Sequence, residues 1–172
     1  YCQAEEKDNA EFKCCMVVNH DEQVKVYSDI AKKLGITEKY GEVVSKASTF
    51  LNRHKDLDSV DVVFIDEAHL LFTQGNQGYS GKNQLDDIIK RAKVVVIVFD
   101  ENQILRMDQY WEKQMIDRYR NKAIEQQNYI TLTKQLRMQA DNETLAWIDA
   151  FTKKQIINKI PHHDYEIKIF DS

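Results

Sequence analysis

The sequence has few of the residues that interrupt regular structure. It contains five glycines and one proline in 172 residues, a composition that favours helices and short connections over a turn-rich all-β design. No apolar run approaches the length needed to span a membrane, and no segment has the layout of a signal peptide. We therefore expect a globular protein with no membrane association.

The sequence also has few cysteines and a small net charge. The three cysteines are Cys2, Cys14 and Cys15, an odd set with neither the pairing of a disulfide framework nor the spacing of a zinc site. We interpret them as reduced packing residues of a cytoplasmic protein. The formal charge of −4, from 28 acidic and 24 basic residues, leaves no overall electrostatic footprint for nucleic acid.

Two apolar strands that end in acidic residues are the main chemical signal. Residues 60–65 form a β-branched run followed at once by Asp66 and Glu67, and residues 94–99 form a second run followed by Asp100 and Glu101. If the two strands are neighbours in a parallel sheet, these carboxylates meet at the edge where open α/β sheets bind ligands. Such a concentration of charge favours a divalent cation with phosphate nearby.

Strands alternate with helices along the rest of the chain. This pattern predicts an α/β domain with a mainly parallel sheet and flanking helices. Beyond the two runs above, strands are predicted at 13–18, 129–132 and 165–170, a loop at 73–82, and helices at 21–34, 43–53, 85–89, 107–125 and 142–154. In the helix at 107–125, Trp111, Met115 and Tyr119 are four residues apart and are expected to pack on the sheet.

The acidic strand ends resemble motifs of superfamily 1 helicases. VVFIDEAHLL resembles motif II (Walker B), VVIVFDENQIL resembles motif III, and ITLTKQLRM is similar to motif IV, in the same order and with similar separations. The closest resemblance is to a bacterial family of helicase-like ATP/GTP-binding proteins akin to the Schlafen helicase-like domain. That family has a GKNQ segment between motifs II and III, and here the segment contains Lys82. The likeness covers roughly residues 13–155.

The resemblance implies a partial RecA-like P-loop NTPase domain and a role for five residues. Asp66 would hold Mg²⁺, and Glu67 would orient or deprotonate the attacking water. Gln103 would couple the nucleotide state to neighbouring elements. Arg137 would contact the γ-phosphate, assisted by Gln135, because a guanidinium matches phosphate oxygens. ATP and Mg²⁺ would be the cofactors of the intact protein, and nucleic acid its partner.

The phosphate-binding loop is absent from the sequence. A P-loop requires GxxxxGK[ST], whose amides and lysine cradle the phosphates. The nearest candidate, around Gly78, Gly81 and Lys82, has Asn76 in place of the first glycine and Asn83 in place of Ser or Thr. It also follows the Walker B strand instead of preceding it, so we reject it as a P-loop.

We therefore expect the chain to be a fragment without the first strand, the P-loop and the first helix. It would comprise a flexible end at 1–12, the partial motor domain at 13–155 with motifs Ia to IV, and a C-terminal extension at 156–172 with a short strand. Its partners would be the remaining motor segments upstream and downstream. Alone, it would bind ATP weakly or not at all and would be inactive.

In this family the P-loop strand lies between the strands of motifs III and IV, so the strands at 13, 60 and 94 should pair contiguously and the strand at 129 should be displaced.

Two other functions remain open from the sequence. Asp66, Glu67, Asp100 and Glu101 could form the metal cluster of a phosphodiesterase or nuclease that needs no P-loop, or the chain could be a non-catalytic interaction module. His69 lacks the partners of a zinc ligand, so we interpret it as a polar bridge from DEAH to motif III or to a neighbouring loop.

Overall fold

The computed structural model describes residues 12–57, 59–75, 79–103, 111–132, 140–153 and 159. The chain divides into two compact units, residues 1–116 and residues 117–172. The predictions for the flexible end at 1–12 and for the strand at 165–170 fall almost entirely outside the described residues.

The first unit contains a four-stranded sheet in which every pairing is parallel. Its strands are β1 (Cys14–Val18), β2 (Val44–Lys46), β3 (Val60–Ile65) and β4 (Ala92–Ile97), in the spatial order β2-β1-β3-β4. Cys14 is in register with Val62, and Val62 with Val94. The expected contiguous pairing of the strands at 13, 60 and 94 is confirmed, and the carboxyl ends of β3 and β4 are neighbours.

Helices flank this sheet, as expected for the α/β class. In chain order these helices of the first unit are α1 (Asp21–Lys33), α2 (Ile36–Tyr40), α3 (Ala47–Arg53) and α4 (Gln84–Ile89), and short 3₁₀ turns cover Ala68–Leu70 and Glu101–Gln103. Two more helices follow, α5 (Lys113–Glu125), most of which belongs to the second unit, and α6 (Asn142–Thr152), which lies wholly within it. Gly35 separates α1 from α2 with φ of 69°, a left-handed conformation that glycine adopts without a steric penalty. No helix of the described residues is long and apolar enough to cross a membrane.

The core lies where β1 and β3 meet the helices. Both strands are central in the sheet, and Val17, Val63 and Ile65 are almost fully buried. Phe50 of α3 and Ile88 of α4 are buried to the same degree. This packing holds the carboxyl ends of the central strands in fixed positions, and the acidic residues follow there.

The predicted helix at 43–53 is wrong in its first part. Val44–Lys46 forms β2, which pairs with β1 at the edge of the sheet, and the helix begins only at Ala47. Val44 and Ser45 are both buried, so burial against β1 decides the conformation of these three residues. A strand this short cannot be separated from a helical pattern by periodicity alone.

β4 is less buried than its composition predicts. Val94, Val96 and Val98 are 52%, 41% and 49% exposed, and Phe64 of the adjoining β3 is 37% exposed. β4 is the last strand of the sheet in the spatial order. One face of its apolar run is therefore open to solvent in this chain, although the run is expected to form a buried strand.

Three further predictions need correction. Residues 129–132 form no strand, and Ile130 and Leu132 are 82% and 83% exposed. Trp111 precedes α5, so it does not belong to a helical face with Met115 and Tyr119. The loop at 73–82 is expected to be exposed, but Tyr79 within it is buried and its hydroxyl donates to Asp87 at 2.6 Å.

Candidate functional site

Asp66 and Glu67 leave the carboxyl end of β3 in a constrained backbone conformation. The Asp66 amide donates to the carbonyl of Val17 on β1 at 3.0 Å, which extends the sheet pairing up to the site. Glu67 then adopts a left-handed conformation, with φ of 53° and ψ of 47°. For a residue with a side chain this conformation costs about 1–2 kcal/mol, and the turn directs the chain into the 3₁₀ segment that carries His69.

Two donors from different elements hold the Asp66 carboxylate. Oδ1 accepts the Glu67 amide at 3.0 Å, and Oδ2 accepts the hydroxyl of Tyr27 on α1 at 3.1 Å. Burial raises the pKa of Tyr27, and the hydrogen bond to Asp66 and the charges of Asp66 and Glu67 raise it further. The hydroxyl therefore keeps its proton and remains a donor to the carboxylate.

His69 connects Glu67 to the end of β4. Its side chain is 2% exposed, and Nε2 lies 3.2 Å from Glu67 Oε2. Nδ1 accepts the backbone amide of Asp100 in a long hydrogen bond of 3.4 Å. Because Nδ1 is the acceptor, the proton belongs on Nε2, the nitrogen that faces the Glu67 carboxylate. His69 thus forms a polar bridge between Glu67 and the segment that follows β4, in the place where the sequence predicted one.

Gln103 extends this connection by one residue. Its side-chain Nε2 donates to Asp100 Oδ2 at 2.7 Å, and its backbone N–H donates to the Asp100 carbonyl at 3.4 Å. Glu67, His69, Asp100 and Gln103 thus form a continuous polar chain, which we term the acidic-edge chain. The acidic-edge chain links the end of β3 to the segment that follows β4.

Aromatic residues pack beside the acidic-edge chain. The His69 ring meets Phe99 edge-on with centroids 6.1 Å apart, and Phe99 meets Trp111 in the same manner at 5.2 Å. Trp111 is buried, and its Nε1 donates to the His69 carbonyl at 3.1 Å. The ring and the backbone of His69 are therefore both fixed, which suits a residue that orients a carboxylate.

The oxygen donors at this edge suit a hydrated Mg²⁺ better than a metal bound only by protein. Carboxylate oxygens are the ligands that Mg²⁺ prefers, and the ion usually retains several waters and binds phosphates. Within the described residues there is no group of three or more His, Cys, Asp or Glu side chains placed to hold a metal. The predicted four-carboxylate cluster therefore does not form among them, since His69 occupies the space between Glu67 and Asp100 and Glu101 is solvent-exposed.

The structure brings together three of the five predicted site residues. Asp66, Glu67 and Gln103 lie at the carboxyl edge of β3 and β4, whereas Gln135 and Arg137 fall outside the described residues. Lys82 is exposed just before α4. Sequence reasoning missed Tyr27, because its contact with Asp66 spans 39 positions and its helical spacing predicts only packing.

Comparison with known proteins assigns the family. The sequence profile described as Schlafen group 3, DNA/RNA helicase domain, matches residues 1–172. An uncharacterised protein of Saccharomyces cerevisiae is 33% identical over 154 residues, which cover 85% of this chain and 33% of the yeast protein. The chain thus spans about a third of the length of that relative. No solved structure matches the present chain.

Proposed function

Because the chain belongs to the Schlafen group 3 DNA/RNA helicase domain family, we propose that it supplies the metal-binding and water-activating part of the nucleotide site in a helicase-like ATPase. Asp66 would hold Mg²⁺, and Glu67 would orient or deprotonate the water that attacks the γ-phosphate. The bound Mg²⁺ would neutralise the charge that develops on the phosphates. Arg137, with Gln135, would contact the γ-phosphate.

The acidic-edge chain is the observation that carries this proposal. Glu67 is held by His69, and His69 is held by the backbone of Asp100 at the end of the neighbouring strand. Gln103 bonds to the same Asp100. A carboxylate that senses a phosphate or its water would therefore be linked to a second strand end, as expected of a motor that converts nucleotide hydrolysis into movement along nucleic acid.

The phosphate cradle would come from another part of the intact protein. This chain has no GxxxxGK[ST], and without the amides and lysine of that motif two carboxylates repel a triphosphate. We therefore expect residues 1–172 alone to bind ATP weakly or not at all. The metal-dependent nuclease is the weaker candidate, because the described residues do not assemble its four-carboxylate cluster.

Glu67→Gln in the full-length protein tests the proposal. Glutamine keeps the size of the side chain and removes the charge that activates water, so we expect ATP hydrolysis to fall by about 10²- to 10⁴-fold while ATP binding persists. Glu101→Gln is the matched control, since Glu101 is exposed in the 3₁₀ turn after β4, and it should retain normal hydrolysis. Equal activity of the two variants would contradict the role of Glu67. A wild-type protein that cleaves nucleic acid with Mg²⁺ but without ATP would favour the nuclease.

A further inference from the structure

Tyr27 hydrogen-bonds to Asp66 from outside the DEAH segment. It lies on α1, 39 positions earlier in the chain, and its hydroxyl donates to Asp66 Oδ2 at 3.1 Å. The other oxygen, Oδ1, accepts the Glu67 amide at 3.0 Å. Each carboxylate oxygen therefore accepts one protein donor and keeps its remaining lone pairs for another ligand.

The ring of Tyr27 is held firmly enough to place this hydroxyl. It packs against a core cluster of Val18, Ala31 and Val44, which draws on β1, β2 and α1. A phenol has two side-chain torsions, so a ring fixed by packing leaves its oxygen little freedom. The position of the hydroxyl is thus set by the central sheet and α1, the same parts that support Asp66.

We infer that Tyr27 is a positioning residue for the cation site: its hydroxyl orients the Asp66 carboxylate so that the free lone pairs face a hydrated divalent cation. This inference rests on the proposed role of Asp66. Partners of metal ligands commonly act in this way, because a hydrogen bond fixes both the orientation and the basicity of the ligand.

Two buried polar atoms lie on α1 and just after β1, the two elements that hydrogen-bond to Asp66. Asn19 Nδ2 and Gln23 Oε1 are buried and have no hydrogen-bond partner within the part of the chain that the structure describes. Gln23 lies one helical turn before Tyr27 on the same face of α1. Asn19 follows β1, whose Val17 is in register with Ile65, the residue before Asp66. Water offers both a donor and an acceptor, so an ordered water would satisfy either atom.

Tyr27 could instead serve only to anchor α1 to the sheet. That role predicts a loss of stability when the hydroxyl is removed and no specific change in metal affinity. The positioning role predicts a change in metal affinity that stability does not explain. The two roles therefore differ in a quantity that can be measured without any catalytic assay.

The test is a titration of the full-length protein with Mn²⁺ alone, followed by electron paramagnetic resonance. We expect Tyr27→Phe to weaken Mn²⁺ binding by about 10-fold, the range found for partners of metal ligands, and Asp66→Asn to weaken it more. Tyr40→Phe removes a hydroxyl from α2 and should leave Mn²⁺ affinity unchanged. Replacing Tyr27 with 4-aminophenylalanine, which keeps a donor at the same place, should restore most of the affinity.

The outcomes separate this inference from the proposed function. Unchanged Mn²⁺ affinity in Tyr27→Phe, with weakened binding in Asp66→Asn, would overturn the positioning role and leave the metal role of Asp66 intact. If Asp66→Asn binds Mn²⁺ as well as wild type, or if wild type binds no Mn²⁺, both the positioning role of Tyr27 and the metal role of Asp66 are wrong. If Tyr27→Phe fails to fold, we would instead compare the Mn²⁺ affinities of proteins with 4-aminophenylalanine and with 4-methylphenylalanine at position 27. Equal Mn²⁺ affinity of those two proteins would overturn the inference.

Discussion

The backbone of Glu67 shows how a single residue combines strain with a chemical role. Its left-handed conformation, with φ of 53° and ψ of 47°, is one that asparagine or glycine would adopt at lower cost. Its side chain nevertheless reaches the buried His69 at 3.2 Å. A glutamate in a position better suited to glycine is typical of a site where strain is retained for function.

Substitution of Glu67 by glycine and by alanine distinguishes the effect of the backbone conformation from the effect of losing the side chain. Both variants remove the carboxylate and leave His69 Nε2 without its partner, so they differ mainly in the tolerance of a left-handed conformation. We expect Glu67→Gly to be more stable than Glu67→Ala by about 1 kcal/mol. Urea unfolding of the two proteins under the same conditions measures this difference. Alanine at least as stable as glycine would show that the left-handed turn is absent in solution.

The segment before α4 is the clearest case at the scale of an element. Asn83 caps this helix, since its Oδ1 accepts the Asp86 amide at 3.1 Å, and its Nδ2 contacts Met115 Sδ at 3.1 Å. The next residue, Gln84, accepts the Phe72 amide at 2.9 Å. Both side chains are buried. The Asn-Gln pair of the GKNQ segment therefore has a structural role, and only Lys82 of this segment is left for a ligand.

We predict that Asn83→Ala destabilises the first unit by about 1–2 kcal/mol, because it removes the cap and leaves the first turn of α4 without an acceptor. Asn83→Asp keeps an acceptor at the same place and should lose less than half of that amount. Thermal unfolding monitored by circular dichroism compares the two. Lys82→Ala, in the exposed residue just before the cap, is the control and should unfold at the wild-type temperature. Equal losses in the alanine and aspartate variants would contradict a capping role.

Strands with long apolar runs could be predicted from the sequence, and short ones could not. β1, β3 and β4 each contain a run of β-branched or other apolar residues, which carries the information locally. β2 has only three residues, and it is a strand because β1 offers it a parallel partner. The predicted strand at 129–132 had the right composition but remains exposed. Local patterns therefore fail where the pairing partner decides the conformation.

The same limit applies to the site. The acidic pair Asp66 and Glu67 follows its strand directly, and His69 lies on the same turn, so their proximity could be predicted from adjacent positions. Tyr27 comes from a helix 39 positions away. Its contact depends on how α1 packs over β1, which the spacing of residues on α1 does not determine. Residues that support a ligand from another element are the ones that sequence reasoning misses.

On the scale of the whole molecule, the exposed face of β4 fits a chain that is covered by further segments. Phe64, Val94, Val96 and Val98 form an apolar surface on one face of β3 and β4, each at least 37% exposed. Uncovered strands of this composition are prone to associate with other chains. The chain spans about a third of the yeast relative's length, and this face is where we expect a further segment to pack.

We expect Val96 to be buried in the full-length protein beside the P-loop strand that the family resemblance implies. Val96→Ser should then destabilise the full-length protein by about 1–3 kcal/mol, because it removes two methyl groups from a core and buries a hydroxyl. In residues 1–172 alone, where Val96 is 41% exposed, the same substitution should change the unfolding free energy by about 0.5 kcal/mol or less.

Val26→Ser is the matched control, since Val26 on α1 is 57% exposed and lies away from β4. It should have a small effect in both lengths of protein. Denaturant unfolding of the four variants and the two parent proteins gives the comparison, and amide exchange at 94–98 should slow in the longer protein as a new strand pairs with β4. If Val96→Ser costs the same in both lengths and the exchange is unchanged, β4 is an edge strand in the full-length protein too. The proposed phosphate cradle would then have to reach Asp66 and Glu67 from some other direction.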